Sequence, residues 1–241
     1  MSRPRLVLAS ASPARATLLR NAGVDPLIRV AGVDEDAVLA AHGPASVAAS
    51  VQVLATAKAE AVAAQLWPAG AKPGVDPAAR PGGEPAAGSV PAPRTGDAGT
   101  DPLVVLGCDS LLELGGEAFG KPHTPERARE RWRRIRGRSG VLHTGHQLIA
   151  AGRRASGVSS TTVHFADITD AEIAAYVDTG EPLTVAGAFT IDGYGGAFIR
   201  RIEGDHHGVM GLSLPLLRDL LSTVGMTWVD LWRQGAAAPS L

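Results

Sequence analysis

The chain has 241 residues, 45% of them apolar, and a formal net charge of −1. That length carries one large domain or two small ones with an ample core, and the balanced charge excludes a general electrostatic pull toward nucleic acid or a membrane surface. The single cysteine, Cys108, excludes an internal disulfide and makes a reducing cytoplasm the natural setting.

The N-terminus enters a strand pattern with no apolar leader of the usual length. No uninterrupted apolar run reaches the roughly 18 residues of a membrane helix. Neither a secretory signal nor a membrane span is therefore expected.

Leu6 to Leu8 is predicted as a short buried strand. Ser12 then stands at a helix N-cap with Pro13 at the first helical position, Ala14 to Ala22 forms the helix, and Gly23 stops it. One interpretation is a well-capped strand–turn–helix joint. The other uses the same geometry: a helix N-terminus, the hydroxyls of Ser10 and Ser12, and Arg15 in the first turn together suit an anion, most plausibly phosphate. The stretch alone leaves both open. A second strand is expected near Leu27 to Val30, then the acidic turn Asp34-Glu35-Asp36, whose carboxylates either offer oxygens to a metal or face solvent. An alanine-rich helix from about Ser46 to Leu66 carries Lys58, one of three lysines among the 23 basic residues. From 67 to 101 proline and glycine recur every few residues and large apolar side chains nearly vanish, which predicts a disordered insertion.

Order resumes with the apolar strand Pro102 to Ser110, expected to end on the carboxylate of Asp109. A carboxylate at the carboxyl end of a strand in an α/β sheet lies where such folds place their sites. There it binds a divalent metal or takes a proton from water; a turn or N-cap aspartate is the plainer alternative. Glu113 to Phe119 is predicted as a hairpin. Lys121, between Gly120 and Pro122, suits a phosphate contact or is an ordinary surface lysine. Thr124 and Pro125 open a helix whose Ala128, Trp132 and Ile135 share one buried face, with its arginines solvated. Strands follow at Leu142 to Ala150 and Ser159 to Phe165. Thr169 and Glu172 form a capping box on a helix from Asp170 to Asp178, stopped by Gly180. Phe189 to Ile202 is expected to be glycine-interrupted strand, Leu214 to Leu221 a closing helix, and 235–241 a disordered tail. Alternation of strands and helices gives an α/β class with a mixed sheet.

Cys108 is expected to be a small buried core residue. His143 and His146 have no partners to complete a zinc site, and His206 and His207 fall in a predicted loop. No G-x-S-x-G and no Walker lysine motif is present, which disfavours a serine hydrolase or a P-loop enzyme.

In order, Ser10-Ala-Ser-Pro-Ala-Arg15, Val33-Asp-Glu35, Ala57-Lys58-Ala59, Gly107-Cys-Asp109-Ser110, Gly120-Lys-Pro122, Gly180-Glu-Pro182, Ala186-Gly-Ala-Phe189, Gly204-Asp205 and Gly211-Leu212 resemble the Maf family, the septum-formation-associated nucleoside triphosphate pyrophosphatases. The resemblance covers nearly all of the chain outside 67–101 and the tail. It implies one α/β domain over 1–234 in two lobes, an elongated mixed sheet flanked by helices with a deep central cleft, similar to the inosine triphosphate pyrophosphatase fold. It also implies cleavage between the α and β phosphates of a standard or modified nucleoside triphosphate, with a divalent metal, Mg or Mn.

By motif, Asp109 would be the base or metal-holding carboxylate and Glu35 would assist the metal. Ser10, Ser12 and Arg15 would hold phosphate, and Lys58 and Lys121 would offset its charge. The chain departs from the family pattern at Ala14, which replaces the first of two arginines, at Val185, at Asp192, which stands for a glutamine near the base or triphosphate, and near Gly140. A nucleoside triphosphate is thus the implied partner, with no nucleic acid or membrane and with a homodimer left open. The alternative is a nucleotide-binding regulator of cell division whose catalysis has faded.

Overall fold

In the computed structural model, which describes residues 3–43, 45–67, 102–150 and 152–233, seven strands form one mixed sheet. The chain runs β1 (Arg5–Leu8), α1 (Pro13–Asn21), β2 (Leu27–Ile28), α2 (Glu35–His42) and α3 (Val47–Leu66). It continues through β3 (Leu103–Leu114), β4 (Glu117–Phe119), α4 (Pro125–Ile135), β5 (Ser139–Ala150), β6 (Arg153–Phe165) and α5 (Asp170–Asp178). It ends with β7 (Ile199–Glu203), the single turn α6 (His206–Val209) and α7 (Leu214–Thr223). The strand order is β2-β1-β3-β5-β6-β7, with β4 hairpinned onto β3. The β2–β1–β3 pairs are parallel and the rest antiparallel. The expected α/β class with a mixed sheet is what forms. Except for Trp67, the predicted insertion at 67–101 lies outside the described residues, as does the tail from 235.

Because side chains alternate across a strand, the sheet has two distinct faces. On one, Leu6, Leu8, Val104, Leu106, Cys108 and Leu148 are buried beneath α1 and α7. Further along the same face Leu112, Leu142 and Val163 meet Trp132, Tyr176 and Phe189. The indole of Trp132 meets Phe165, Tyr176 and Phe198 edge-on, at centroid distances of 5.5–5.9 Å, and its Nε1 donates to Ala188 O at 2.8 Å. Ala128, Trp132 and Ile135 form the buried stripe that their spacing predicts.

The opposite face is covered by α3. Its length and composition are enough for a membrane span, which the sequence was not expected to contain; here it lies along the sheet, with Ala59 and Val62 on Val7, Val105 and Ile149. Glycine makes this close approach feasible. A Cβ at Gly107 would stand 2.2 Å from Ala55 O, and one at Gly145 would stand 2.3 Å from Val51 O. No side chain fits at either position.

Two expectations change. Asp34 to Asp36 is not a free acidic turn: the Asp34 carboxylate accepts from Ala37 N and starts α2, which periodicity did not signal in so short a helix. Phe189 to Ile202 is not a set of glycine-interrupted strands. Its Gly195 and Gly196 fall in a 3₁₀ turn over Tyr194–Phe198, and only Ile199–Glu203 joins the sheet.

Candidate active site

The parallel part of the sheet ends where β1 does. Leu8 pairs with Leu106, Ala9 N still reaches Leu106 O, and the chain then turns away into Ser10–Ser12. β3 carries on. Asp109 is therefore not at the end of its strand, as its sequence suggested, but five residues short of it, because antiparallel pairing with β5 runs on to Glu113. It does lie just past the carboxyl end of the parallel neighbour, the position an open α/β sheet leaves free for a ligand.

Around this point opens a cleft of about 430 Å³. All eight residues singled out from the sequence line it: Ser10, Ser12, Arg15, Glu35, Lys58, Asp109, Lys121 and Asp192. They come from the β1–α1 turn, α1, α2, α3, β3, the turn after β4 and the segment after α5. One wall carries the first six; Val185, Ala186, Phe189, Thr190, Ile191 and Asp192 make up another.

Lys58 sits between two carboxylates. Its Nζ is 2.5 Å from Asp109 Oδ1 and 2.6 Å from Glu35 Oε1. Asp109 is buried (7% exposed), and burial pushes its carboxyl above the ordinary aspartate range, opposed by the charges of Lys58 and Arg15. Glu35 is half open to solvent. The two carboxylates converge on one cation, and hard anionic oxygens are the donors that Mg or Mn takes. The donor set fits such an ion.

Arg15 is the best-anchored cation here. It is 8% exposed, and its guanidinium donates to Gly211 O (2.6 Å), Cys108 O (2.9 Å), Ser10 Oγ (3.0 Å) and Ser110 Oγ (3.0 Å). Two of these acceptors flank Asp109. Thr144 Oγ1 gives its single proton to Gly208 O, so Ser110 Oγ donates to Thr144. The chain Arg15–Ser110–Thr144–Gly208 thus ties β3 and β5 to the turn before α7.

Ser12 occupies the expected N-cap position, yet its side chain makes no bond to its own helix. Its backbone N–H donates instead to Ser10 Oγ, which also accepts from Arg15. Ser10 thereby keeps its own O–H for donation.

The remaining candidates separate cleanly. Cys108 is fully buried among Leu8, Leu106 and Leu148, and burial pushes its thiol up to about 12, so it is core. His143 and His146 point to opposite faces of β5. His146 Nδ1 meets Thr144 O and its Nε2 accepts from Ser213 N, so the ring is neutral, and burial lowers its pKa to about 4. Asp205 caps the single helical turn that His206 and His207 open. Residues that sequence reasoning passed over include Thr190 and His123, which lines the cleft beside Lys121 with φ of 64° and donates its N–H to Leu183 O. Only tertiary contacts mark them.

The family model for Maf-like protein matches residues 5–224. The chain belongs to the Maf family. Among its relatives, a Salinispora tropica protein named nucleoside triphosphate pyrophosphatase is 48% identical over 235 residues, 97% of this chain and 89% of that protein. Proteins of the same name from Nocardia farcinica (49% over 237 residues, 96% and 98% covered) and Streptomyces coelicolor (48% over 232 residues, 95% and 95%) are similarly close. Three of the four departures from the Maf pattern noted above, Ala14, Val185 and Asp192, line the cleft. The fourth, Gly140, is buried in β5, where a Cβ would stand 2.9 Å from Leu112 Cδ1.

Proposed function

We propose that this chain hydrolyses nucleoside triphosphates between the α and β phosphates, releasing a monophosphate and pyrophosphate. The observation that carries the reading is the Glu35–Lys58–Asp109 bridge inside the cleft; the names of the close relatives support it.

Asp109 acts as the base, taking a proton from the attacking water at a carboxylate oxygen. Its raised pKa brings it nearer to neutral pH, where proton transfer is more favourable. Lys58 keeps that carboxylate ionised and, with Lys121, offsets the negative charge of the triphosphate. Ser10 and Ser12 offer hydroxyls to phosphate oxygens beside the N-terminus of α1. Arg15 has one N–H left for phosphate after its internal bonds; its larger part is to hold Asp109 in place. Glu35 and Asp109 would hold a divalent ion, Mg or Mn, which when bound supplies charge neutralisation at the phosphates and lowers the pKa of water. Asp192 faces the base or the triphosphate.

We place the enzyme in the cytoplasm as one domain in two lobes over 1–234, with a homodimer allowed and with neither nucleic acid nor membrane as partner. The reading as a regulator without catalysis is not favoured, because the base, its lysine and the second carboxylate are all assembled. The test is a panel of standard and modified nucleoside triphosphates, incubated with Mg, with Mn and with a chelator. Metal-dependent loss of at least one triphosphate is expected; no turnover of any would overturn the reading.

A further inference from the structure

Glu181 lies outside the cleft, yet it organises one of its walls. Its Oε1 accepts from Thr190 Oγ1 (2.6 Å), Tyr176 OH (2.8 Å) and Gly195 N (2.9 Å), and its Oε2 from Tyr194 N (2.8 Å). Three of these four donors belong to Thr190–Gly195 and bracket Ile191 and Asp192, both of which line the cleft. The segment is wrapped closely around the carboxylate. A Cβ at Gly193 would stand 2.2 Å from Glu181 Oε2, and one at Gly195 would stand 2.5 Å from Tyr176 OH. Tyr176 in turn is buried against Trp132, so the anchor is fixed to the core beneath α4 and α5. Without Glu181, two backbone N–H groups and the Thr190 hydroxyl lose their acceptor together.

We propose that Glu181 is a positioning residue that fixes the Thr190–Asp192 wall and, through it, which nucleobase the cleft accepts. The inference rests on the nucleotide reading above. The Ser10, Ser12, Arg15 and Lys58 side of the cleft already carries cations and hydroxyls suited to phosphates, whereas this segment offers apolar Phe189 and Ile191 with the Asp192 carboxylate. Such a surface suits a flat heterocycle with polar edges. Discrimination between bases depends on polar groups held within a fraction of an ångström, and a glycine-rich segment does not hold them unaided. Loosening the wall therefore weakens binding and blurs selection while leaving the Asp109 chemistry in place.

The experiment measures pyrophosphate release from the four standard ribonucleoside triphosphates and their modified-base counterparts, with the full chain as wild type, Glu181→Gln and Tyr176→Phe. Glutamine keeps the shape, but its amide nitrogen replaces one accepting oxygen, so either Tyr194 N or Gly195 N loses its acceptor. Expected for Glu181→Gln is a KM raised about tenfold on the preferred nucleotide, kcat within about threefold of wild type, and a selectivity ratio between best and second-best base reduced by about tenfold. Tyr176→Phe, which removes one support of the anchor and does not itself line the cleft, shifts the ratio the same way by less. A folded Glu181→Gln enzyme with wild-type KM and selectivity overturns the proposal. Should that variant fail to fold, an unchanged ratio in Tyr176→Phe overturns it. Absence of pyrophosphate release by the wild type on every nucleotide would instead overturn the nucleotide reading, and this inference with it.

Discussion

Lys58 Nζ donates to Asp109 Oδ1 at 2.5 Å across 51 positions of sequence. The contact exists because α3 comes down onto β3 and β5 at Gly107 and Gly145, two glycines on the same sheet face as Asp109. Backbone packing and the geometry of the cleft are thereby coupled: what lets the helix approach also lets its lysine reach the carboxylate.

Asp109→Asn is expected to abolish hydrolysis, lowering kcat by about 10²-fold or more, as loss of a general base does. The raised pKa sets the sign for stability. A carboxyl that binds its proton more tightly when folded is penalised in its ionised form, so its contribution falls as pH rises above the ordinary aspartate range. At neutral pH the neutral amide should leave the melting temperature unchanged or higher. Wild-type turnover in a folded Asp109→Asn protein would remove Asp109 from the mechanism.

Gly107→Ala adds one methyl group where none fits, 2.2 Å from Ala55 O. Overpacking of this kind costs about 1–3 kcal/mol or more. Because α3 must shift outward, Lys58 moves away from Asp109 and activity falls with stability. Thermal melting and turnover measured on the same sample check both; a variant with wild-type values in each would show that α3 yields freely.

Arg15→Ala is expected to be a lesion of both fold and activity. The substitution leaves two buried carbonyls, Cys108 O and Gly211 O, short of a donor, and each such group costs about 1–3 kcal/mol. A loss of about 3 kcal/mol lowers the melting temperature by about 6–12 °C in a chain of this size. Arg15→Lys should restore little, since an ammonium lacks the planar fork that spans four acceptors. An Arg15→Ala protein that melts with the wild type would show that these bonds contribute nothing to stability.

Much of this was legible in the residues. The capping signals at Ser12-Pro13, Thr124-Pro125 and Thr169/Glu172 gave helix starts correct to within a residue or so, because caps are local chemistry. Motif order gathered eight cleft residues from seven segments. What local pattern could not supply was partnership over distance. Arg15 bonds to Gly211, 196 positions away, a partner that its first-turn position does not reveal. Glu181 stands in the Gly180-Glu-Pro182 motif, but nothing local shows that the glycine segment folds around its carboxylate. The end of β3 was placed at Asp109 because apolar character fades there; the strand continues because β5 supplies the hydrogen bonds.

His146 gives a pH signature. Its pKa is depressed to about 4 from an ordinary 6.5 by burial, with the charge of Arg15 adding to it. The folded state resists protonation, so stability is full above about pH 6.5, declines as pH falls toward 4, and levels off below. A shift of that size corresponds to something on the order of 3 kcal/mol. Denaturant unfolding between pH 7 and 4 should show this slope, and His146→Gln should flatten it. Parallel slopes in the two proteins would assign the effect to other groups.

The proposed reaction is defined by the bond that breaks. Phosphorus-31 NMR of a reaction of the wild-type chain with its best nucleoside triphosphate and a divalent metal, run without any added phosphatase, resolves the products directly. Nucleoside monophosphate and pyrophosphate are expected to appear in matched amounts from the first time point, with no diphosphate formed at any stage. Orthophosphate and nucleoside diphosphate appearing together would contradict it, since that pattern means attack at the terminal phosphate.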